Sequence, residues 1–127
     1  MIQKGSFLRV IDNSGGRLVY CIRIVSKLKR RYAFVGDVLV VSIKNLRKKR
    51  KFASKVKKGN VVKALVVRTK ISKKYYFGDN LMFFENSVVL LNNNYKLIGT
   101  RIFGLLPRCL RYTRYMRFLS LCTGVRS

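Results

Sequence analysis

The side chains able to do acid-base, nucleophilic or metal chemistry are few. The carboxylates are Asp12, Asp37, Asp79 and Glu85, and the chain has no histidine. General acid-base catalysis needs a positioned proton donor or acceptor, and histidine is the commonest one. Each carboxylate has a structural use instead. Asp12 lies in Asp12-Asn13-Ser14-Gly15-Gly16 and Asp37 in Val35-Gly36-Asp37, both turn-forming runs, because Asp and Asn side chains bond nearby backbone and glycine permits positive φ. Asp79 follows Gly78 in a further turn, and Glu85 precedes Asn86 at the start of an apolar run. No two are spaced as an acid-base pair or a Mg²⁺ site. Ser14 sits beside glycines, yet the run is not a G-x-S-x-G elbow and no histidine exists to activate it. Neither a G-x-x-x-x-G-K-[ST] loop nor G-x-G-x-x-G occurs. Cys21, Cys109 and Cys122 are odd in number, scattered and without a C-x-x-C pair. They predict no disulfide framework and no zinc site, only small buried hydrophobes in a reducing compartment. The expectation is no catalysis, no metal and no cofactor.

What the chain has in excess is positive charge. Its 127 residues carry 29 Lys and Arg against four acids, a net charge of +25. That much like charge on one domain repels itself, so it implies a polyanionic partner. Hydrophobic residues make up 49% of the chain, enough to bury a core and to rule out a disordered basic tail. A folded core plus a basic surface points to nucleic acid.

The cations are clustered. From Lys44 to Lys58, nine of fifteen residues are basic: Lys44, Arg47, Lys48, Lys49, Arg50, Lys51, Lys55, Lys57 and Lys58. The run separates two strand candidates, so it predicts a long basic hairpin arm projecting from the fold. Like charge at this density does not order itself, so the arm is expected to be mobile alone and ordered by RNA phosphates. A second cluster holds Lys27, Lys29, Arg30 and Arg31 beside Tyr32 and Phe34. A third holds Arg68, Lys70, Lys73 and Lys74 beside Tyr75 and Tyr76. Cations meet phosphates and rings stack on unpaired bases, which suits RNA. Arg108, Arg111, Arg114 and Arg117 recur every three residues; on an α-helix they would drift around the axis.

Short β-branched and aromatic segments must position these groups. Leu8–Ile11, Leu18–Val25, Val38–Leu46, Val61–Thr69 and Ser87–Leu91 read as strands, with Phe83 and Phe84 hinting at another. The pattern is mainly β, a small barrel or sandwich, with a barrel favoured because closure removes exposed edges. The runs Val38–Val41 and Ala64–Val67 are continuously apolar, which fits strands covered on both faces. Leu105–Leu110 and Tyr115–Cys122 have helical spacing. Tyr115, Phe118, Leu119 and Cys122 share one face, expected to be core, and Pro107 suits a first helical turn. One domain is expected over 1–127, a barrel over 1–104 and a short helical tail over 105–127. No apolar run approaches the ~20 residues needed to span a bilayer. The opening MIQKGSFLRVID has no long apolar segment and no amphipathic leader. Trp is absent while Lys, Asn, Tyr, Phe and Ile abound, the signature of an A/T-rich genome. Together these favour an organelle-encoded mitochondrial protein, with a plastid or bacterial cytoplasm as alternatives.

The motifs also fall in a familiar order. MIQ, DNSGGR at 12–17, CIRIV at 21–25, RRYAFVGD at 30–37, VKKGNVVKALVVRTK at 56–70, LLNNN at 90–94 and IGTRIFG at 98–104 run collinear with one family over essentially the whole chain. The chain resembles the large-subunit ribosomal protein L-fourteen family of bacterial and organellar type. Phe77, before Gly78, stands where that family usually has Asp, Asn or Ser; the arm after Leu46 is longer and more basic, and the ending CTGVRS differs. The resemblance implies a five-stranded β-barrel with two short C-terminal helices. It implies a structural, non-catalytic place on large-subunit rRNA at the inter-subunit face, with a bridge to small-subunit rRNA. It also implies neighbours of the L-three and L-nineteen families and a silencing factor that blocks subunit joining. By family position, Arg17, the loop from Arg30 to Gly36, Lys57, Lys58, Arg68 and Arg101 are rRNA contacts. Gly36 and Gly59 are read first as turn glycines, and Arg17 and Arg101 have loop bracing as their other reading. The competing functions are a free-standing basic barrel that binds single-stranded nucleic acid, by its exposed aromatics, and a membrane-surface protein, which would need a basic amphipathic helix.

Overall fold

The structure is a computed structural model that describes residues 2–25, 31–48, 54–70, 73–74, 80–81 and 83–126. Five strands close into a barrel: β1 (Phe7–Val10), β2 (Gly16–Val25), β3 (Val38–Leu46), β4 (Val61–Arg68) and β7 (Ser87–Leu91), in the order β1-β2-β3-β4-β7. Neighbours are antiparallel except at the seam, where β1 runs parallel to β7 with Arg9 opposite Ser87 and Val10 opposite Val88. Closing this seam removes the two sheet edges that would otherwise pair with other chains. The longest strand, β2, breaks register against β3 after Gly16, Leu18 and Cys21, and such bulges bend a strand around a small barrel.

Alternation along the strands divides the apolar residues between two cores. Leu8, Val10, Val19, Cys21, Leu39, Val41, Ile43, Ala64, Val66, Val88 and Leu90 fill the barrel. Leu65, Val67, Val89 and Leu91 point the other way and form a second core with Ile102, Leu106, Leu110, Tyr115 and Phe118. The continuous run Ala64–Val67 is therefore a strand buried on both faces, as is Ser87–Leu91. A fully buried Val, Leu or Ile stabilises by about 1.5–3 kcal/mol, so this second core holds the C-terminal segment firmly against the barrel wall.

That C-terminal segment differs from the expectation of two helices. Ile102–Pro107 is a strand, β8, and the first helical stretch is a 3-10 helix at Arg108–Tyr112. Pro107 holds φ −72° and ψ 143°, extended rather than helical, and it biases the residue before it toward extended backbone too. The second stretch, Met116–Leu121, is also 3-10, and Cys122–Arg126 forms a final strand, β9, parallel to β8. The i, i+3 spacing of Tyr115 and Phe118 fits a 3-10 turn as well as an α-helix, and both rings are buried, as core.

Two further expectations shift. Phe83 and Phe84 are not in a strand; Phe83 is buried, Phe84 is 93% exposed, and the short pair here is β5 (Lys73–Lys74) with β6 (Asn80–Leu81). A long hairpin arm between β3 and β4 is not confirmed by the described residues. The register of these two strands runs to Ser42 opposite Val61, and Ile43 then closes it on the Gly59–Asn60 turn, donating to Asn60 O (3.0 Å) and accepting from Gly59 N (2.8 Å). The described flanks fold back onto the Asp12–Gly16 turn: Arg47 N donates to Gly15 O (2.9 Å) and Lys55 N to Ser14 O (2.8 Å). Val56 is buried in the barrel core, so this side is anchored, not projecting. The tip of the expected arm, at Lys49, Arg50 and Lys51, lies outside the described residues.

Candidate nucleic-acid interface

The Asp12–Gly16 turn is the organising point of the basic surface. Asp12 is fully buried. Its Oδ1 accepts from Ser14 N (3.1 Å) and from the Ser14 hydroxyl, and its Oδ2 accepts from Leu90 N on β7 (2.9 Å). Burial pushes the Asp12 carboxyl above the usual carboxylate range, with those hydrogen bonds and the Arg47 charge pulling it back. Asn13 extends the linkage: its Oδ1 accepts from Thr100 N (2.7 Å) and Arg101 N (3.1 Å). One short turn thus fixes β1, β7, the returning flank at 54–56 and the loop that enters β8. Asp37 is likewise a turn residue, accepting from Phe34 N (2.8 Å). Gly36 beside it and Gly59 both take positive φ, at 94° and 88°, as turn glycines. Asp79 lies outside the described residues.

Around this frame the expected contact residues divide into three groups. The first is exposed. It comprises Arg17, Arg31, Tyr32, Lys44, Lys48, Lys55, Lys57, Lys58, Lys70 and Arg101. The cations of this group have no carboxylate partner among the described residues. Lys44 Nζ stands 5.4 Å from the Tyr20 ring centroid, and Lys55 Nζ donates to Ile98 O at 3.4 Å. Arg17 makes no side-chain hydrogen bond to a described residue.

Arg47 and Arg68 form the second group and are committed inside the protein. Arg47 Nη2 donates to Val10 O (3.1 Å), with the guanidinium 5.2 Å from the Phe103 ring. Arg68 is 13% exposed. Its Nε donates to Leu105 O (2.8 Å), its Nη2 to Phe103 O (2.9 Å) and its Nη1 to Glu85 (3.1 Å). Arg68 therefore ties β4 to β8, a role its sequence neighbours Thr69 and Lys70 did not reveal. The third group, Lys29, Arg30, Lys49, Arg50 and Lys51, lies outside the described residues, and of Lys73 and Lys74 only the backbone is described.

Sequence reasoning missed Arg9. Leu8 and Val10 face the barrel, so Phe7 and Arg9 must face out, and alternation alone could have flagged it. Arg9 pairs with Glu85 at 2.8 Å. Burial acts against the Glu85 charge, but hydrogen bonds and attraction from Arg9, with Arg68 behind it, outweigh burial and hold its carboxyl below the usual range. Also missed was a stack around Tyr95, whose ring has Lys63 Nζ at 4.0 Å and the Arg114 guanidinium at 4.7 Å. Arg108 and Arg111 are exposed on one 3-10 helix, where side chains three apart eclipse instead of drifting.

No three His, Cys, Asp or Glu side chains among the described residues are grouped to hold a metal ion. No described helix is long and apolar enough to cross a membrane. What the surface offers is an array of cations on a rigid barrel, suited to phosphate. A model of the family described as ribosomal protein L14p/L23e matches residues 1–126. The chain is also 40% identical over 125 residues to the large ribosomal subunit protein uL14 of Carsonella ruddii (strain PV), covering 98% of this chain and 99% of that protein.

Proposed function

Because the chain belongs to the ribosomal protein L14p/L23e family, and is thus a non-enzymatic structural constituent of the large ribosomal subunit, we propose that its exposed cations bind large-subunit rRNA at the inter-subunit face. The observation that carries the reading is the set Arg17, Arg31, Lys44, Lys48, Lys55, Lys57, Lys58, Lys70 and Arg101, exposed and without carboxylate partners among the described residues, on a barrel that fixes their spacing. Lys29, Arg30, Lys49, Arg50, Lys51, Lys73 and Lys74 extend the set by charge. Arg47 and Arg68 act by holding β8 and the Asp12–Gly16 turn, so their effect on RNA runs through shape. Phosphate contacts of this kind set position and register, while RNA shape sets specificity.

The chain acts as one unit in this reading, since the C-terminal strands share a core with the barrel wall. The partners proposed beyond rRNA are proteins of the L-three and L-nineteen families, small-subunit rRNA across a bridge, and a silencing factor. Family membership gives no support to a free-standing binder of single strands. For the compartment, the A/T-type composition favours a mitochondrial ribosome, and the relative from Carsonella ruddii supports a bacterial one. Co-sedimentation with large subunits through a high-salt cushion tests the function. The protein is expected to stay with the particle, and release at modest salt from intact particles would sink the proposal.

A further inference from the structure

A cleft of about 420 Å³ opens beside the parallel seam of the barrel, lined by Arg9, Arg17, Arg47, Arg68, Glu85 and Phe103. Four guanidiniums face a single carboxylate. Two of the four are fixed: Arg47 by Val10 O, and Arg68 by the carbonyls of Phe103 and Leu105. The other two are not. Among the described residues Arg17 has no side-chain hydrogen-bond partner, and the Arg9 side chain, 62% exposed, is held only through Glu85. The cleft is already organised about an anion, because the Glu85 carboxylate bridges Arg9 Nη1 (2.8 Å) and Arg68 Nη1 (3.1 Å). Guanidiniums are suited to bidentate contact with phosphate oxygens, and a phosphodiester brings a full charge where Glu85 is shared between two arginines. Phe103, 36% exposed, has the Arg47 cation over its ring and offers an apolar wall for the attached sugar or base.

The geometry points to this cleft as the seat of one RNA backbone phosphate, with Arg9 leaving Glu85 for that phosphate as the RNA docks. The inference rests on the rRNA-binding reading above and adds to it a defined pocket and a competing internal anion. It predicts that Glu85 restrains binding through Arg9 and not through charge in general.

The test is a double-mutant cycle on the full-length protein with large-subunit rRNA stripped of other proteins. E85Q is expected to tighten binding about three- to tenfold, the net scale of one ordinary hydrogen bond, since the exposed Arg9–Glu85 pair is screened by solvent. In the R9Q background the same change should alter binding less than about twofold. An equal gain in both backgrounds would overturn the exchange. R17Q removes an exposed charge and leaves the internal bonds untouched, so its folding is not at issue. It should weaken binding at least about tenfold more than K96Q, which removes an exposed charge away from the cleft; equal losses would overturn the seat. The Arg17 Nε–H resonance should move on adding RNA and stay put in sodium chloride of equal ionic strength. If inorganic phosphate moves it and RNA does not, the occupant is a free phosphate and the inference fails. Failure of wild-type protein to bind the rRNA at all would instead strike the proposed function.

Discussion

Asp12 and Glu85 are both carboxylates near arginines, yet their surroundings drive them in opposite directions. Burial dominates at Asp12 and raises its pKa; at Glu85 the Arg9 and Arg68 contacts win over burial and lower it. A carboxyl raised in the fold lends stability that is full below its unfolded pKa and fades as pH rises through the folded value. A lowered carboxyl does the reverse: its contribution is full above the unfolded pKa and fades as pH falls through the folded value. The two substitutions therefore separate by slope. The stability gap between wild type and Glu85→Gln should shrink on acidification, while the gap between wild type and Asp12→Asn should widen. Urea midpoints between about pH 3 and pH 7 at fixed salt check both signs. At neutral pH, Asp12→Asn should cost about 2–3 kcal/mol, because the new amide turns a donor toward the N–H or hydroxyl that now donates to it. The thiols give a second residue-level test. Cys21 is buried inside the barrel, and desolvation raises its pKa despite the charge of Lys4. It should resist a thiol reagent until the whole protein opens, whereas the partly exposed Cys122 should label first under native conditions.

The elements show how a local choice can serve a distant contact. Gly104 has φ +82°, and a Cβ there would sit 2.1 Å from Arg68 Nη2. Gly59 has a similar φ of +88° with nothing within 4 Å of the same position. Gly59→Ala should therefore cost only the backbone strain, about 1 kcal/mol, while Gly104→Ala should also dislodge Arg68 from the Phe103 and Leu105 carbonyls and cost about 3 kcal/mol or more. Thermal midpoints of the two variants check the difference. The same elements show what was legible in the sequence. The bounds of β7 follow directly from its apolar run, which is buried on both faces, while those of β3 follow from alternation, with Leu39, Val41 and Ile43 buried on either side of the partly exposed Val40 and Ser42. The exposed cations of the arm flanks and of Arg17 could be read from charge alone. The C-terminal segment misled, since the spacing of Tyr115, Phe118, Leu119 and Cys122 satisfies a 3-10 helix followed by a strand as well as an α-helix. Arg68 misled for another reason: its bonding partners lie 17 to 37 residues away, and only the closed barrel brings them together.

At the scale of the whole molecule, the charge of +25 must be met by salt or by RNA, and the two act on different quantities. In the free protein the cations repel one another across a small barrel. Added salt shortens the screening length from about 10 Å at 0.1 M toward ~3 Å at 1 M and relieves that repulsion. Stability should therefore rise with sodium chloride, by about 1 kcal/mol or ~4 °C in thermal midpoint over that range. Bound to RNA the sign reverses, because each phosphate contact releases counterions and salt opposes the release. If six to ten of the exposed cations meet phosphates, affinity for rRNA should drop by about 10³–10⁵ between 50 and 200 mM salt. Replacing Lys57 and Lys58 together with glutamine should lower the magnitude of that salt slope by about 1.4 to 1.8, as two contacts are lost. The same pair should raise the midpoint of the free protein at low salt, since both side chains are exposed and have no carboxylate partner among the described residues. Calorimetry of the free variant and filter binding across a salt series read the two effects on one preparation. A variant that weakened binding and also melted earlier at low salt would show that these lysines hold the turn at Gly59 and are not kept for RNA.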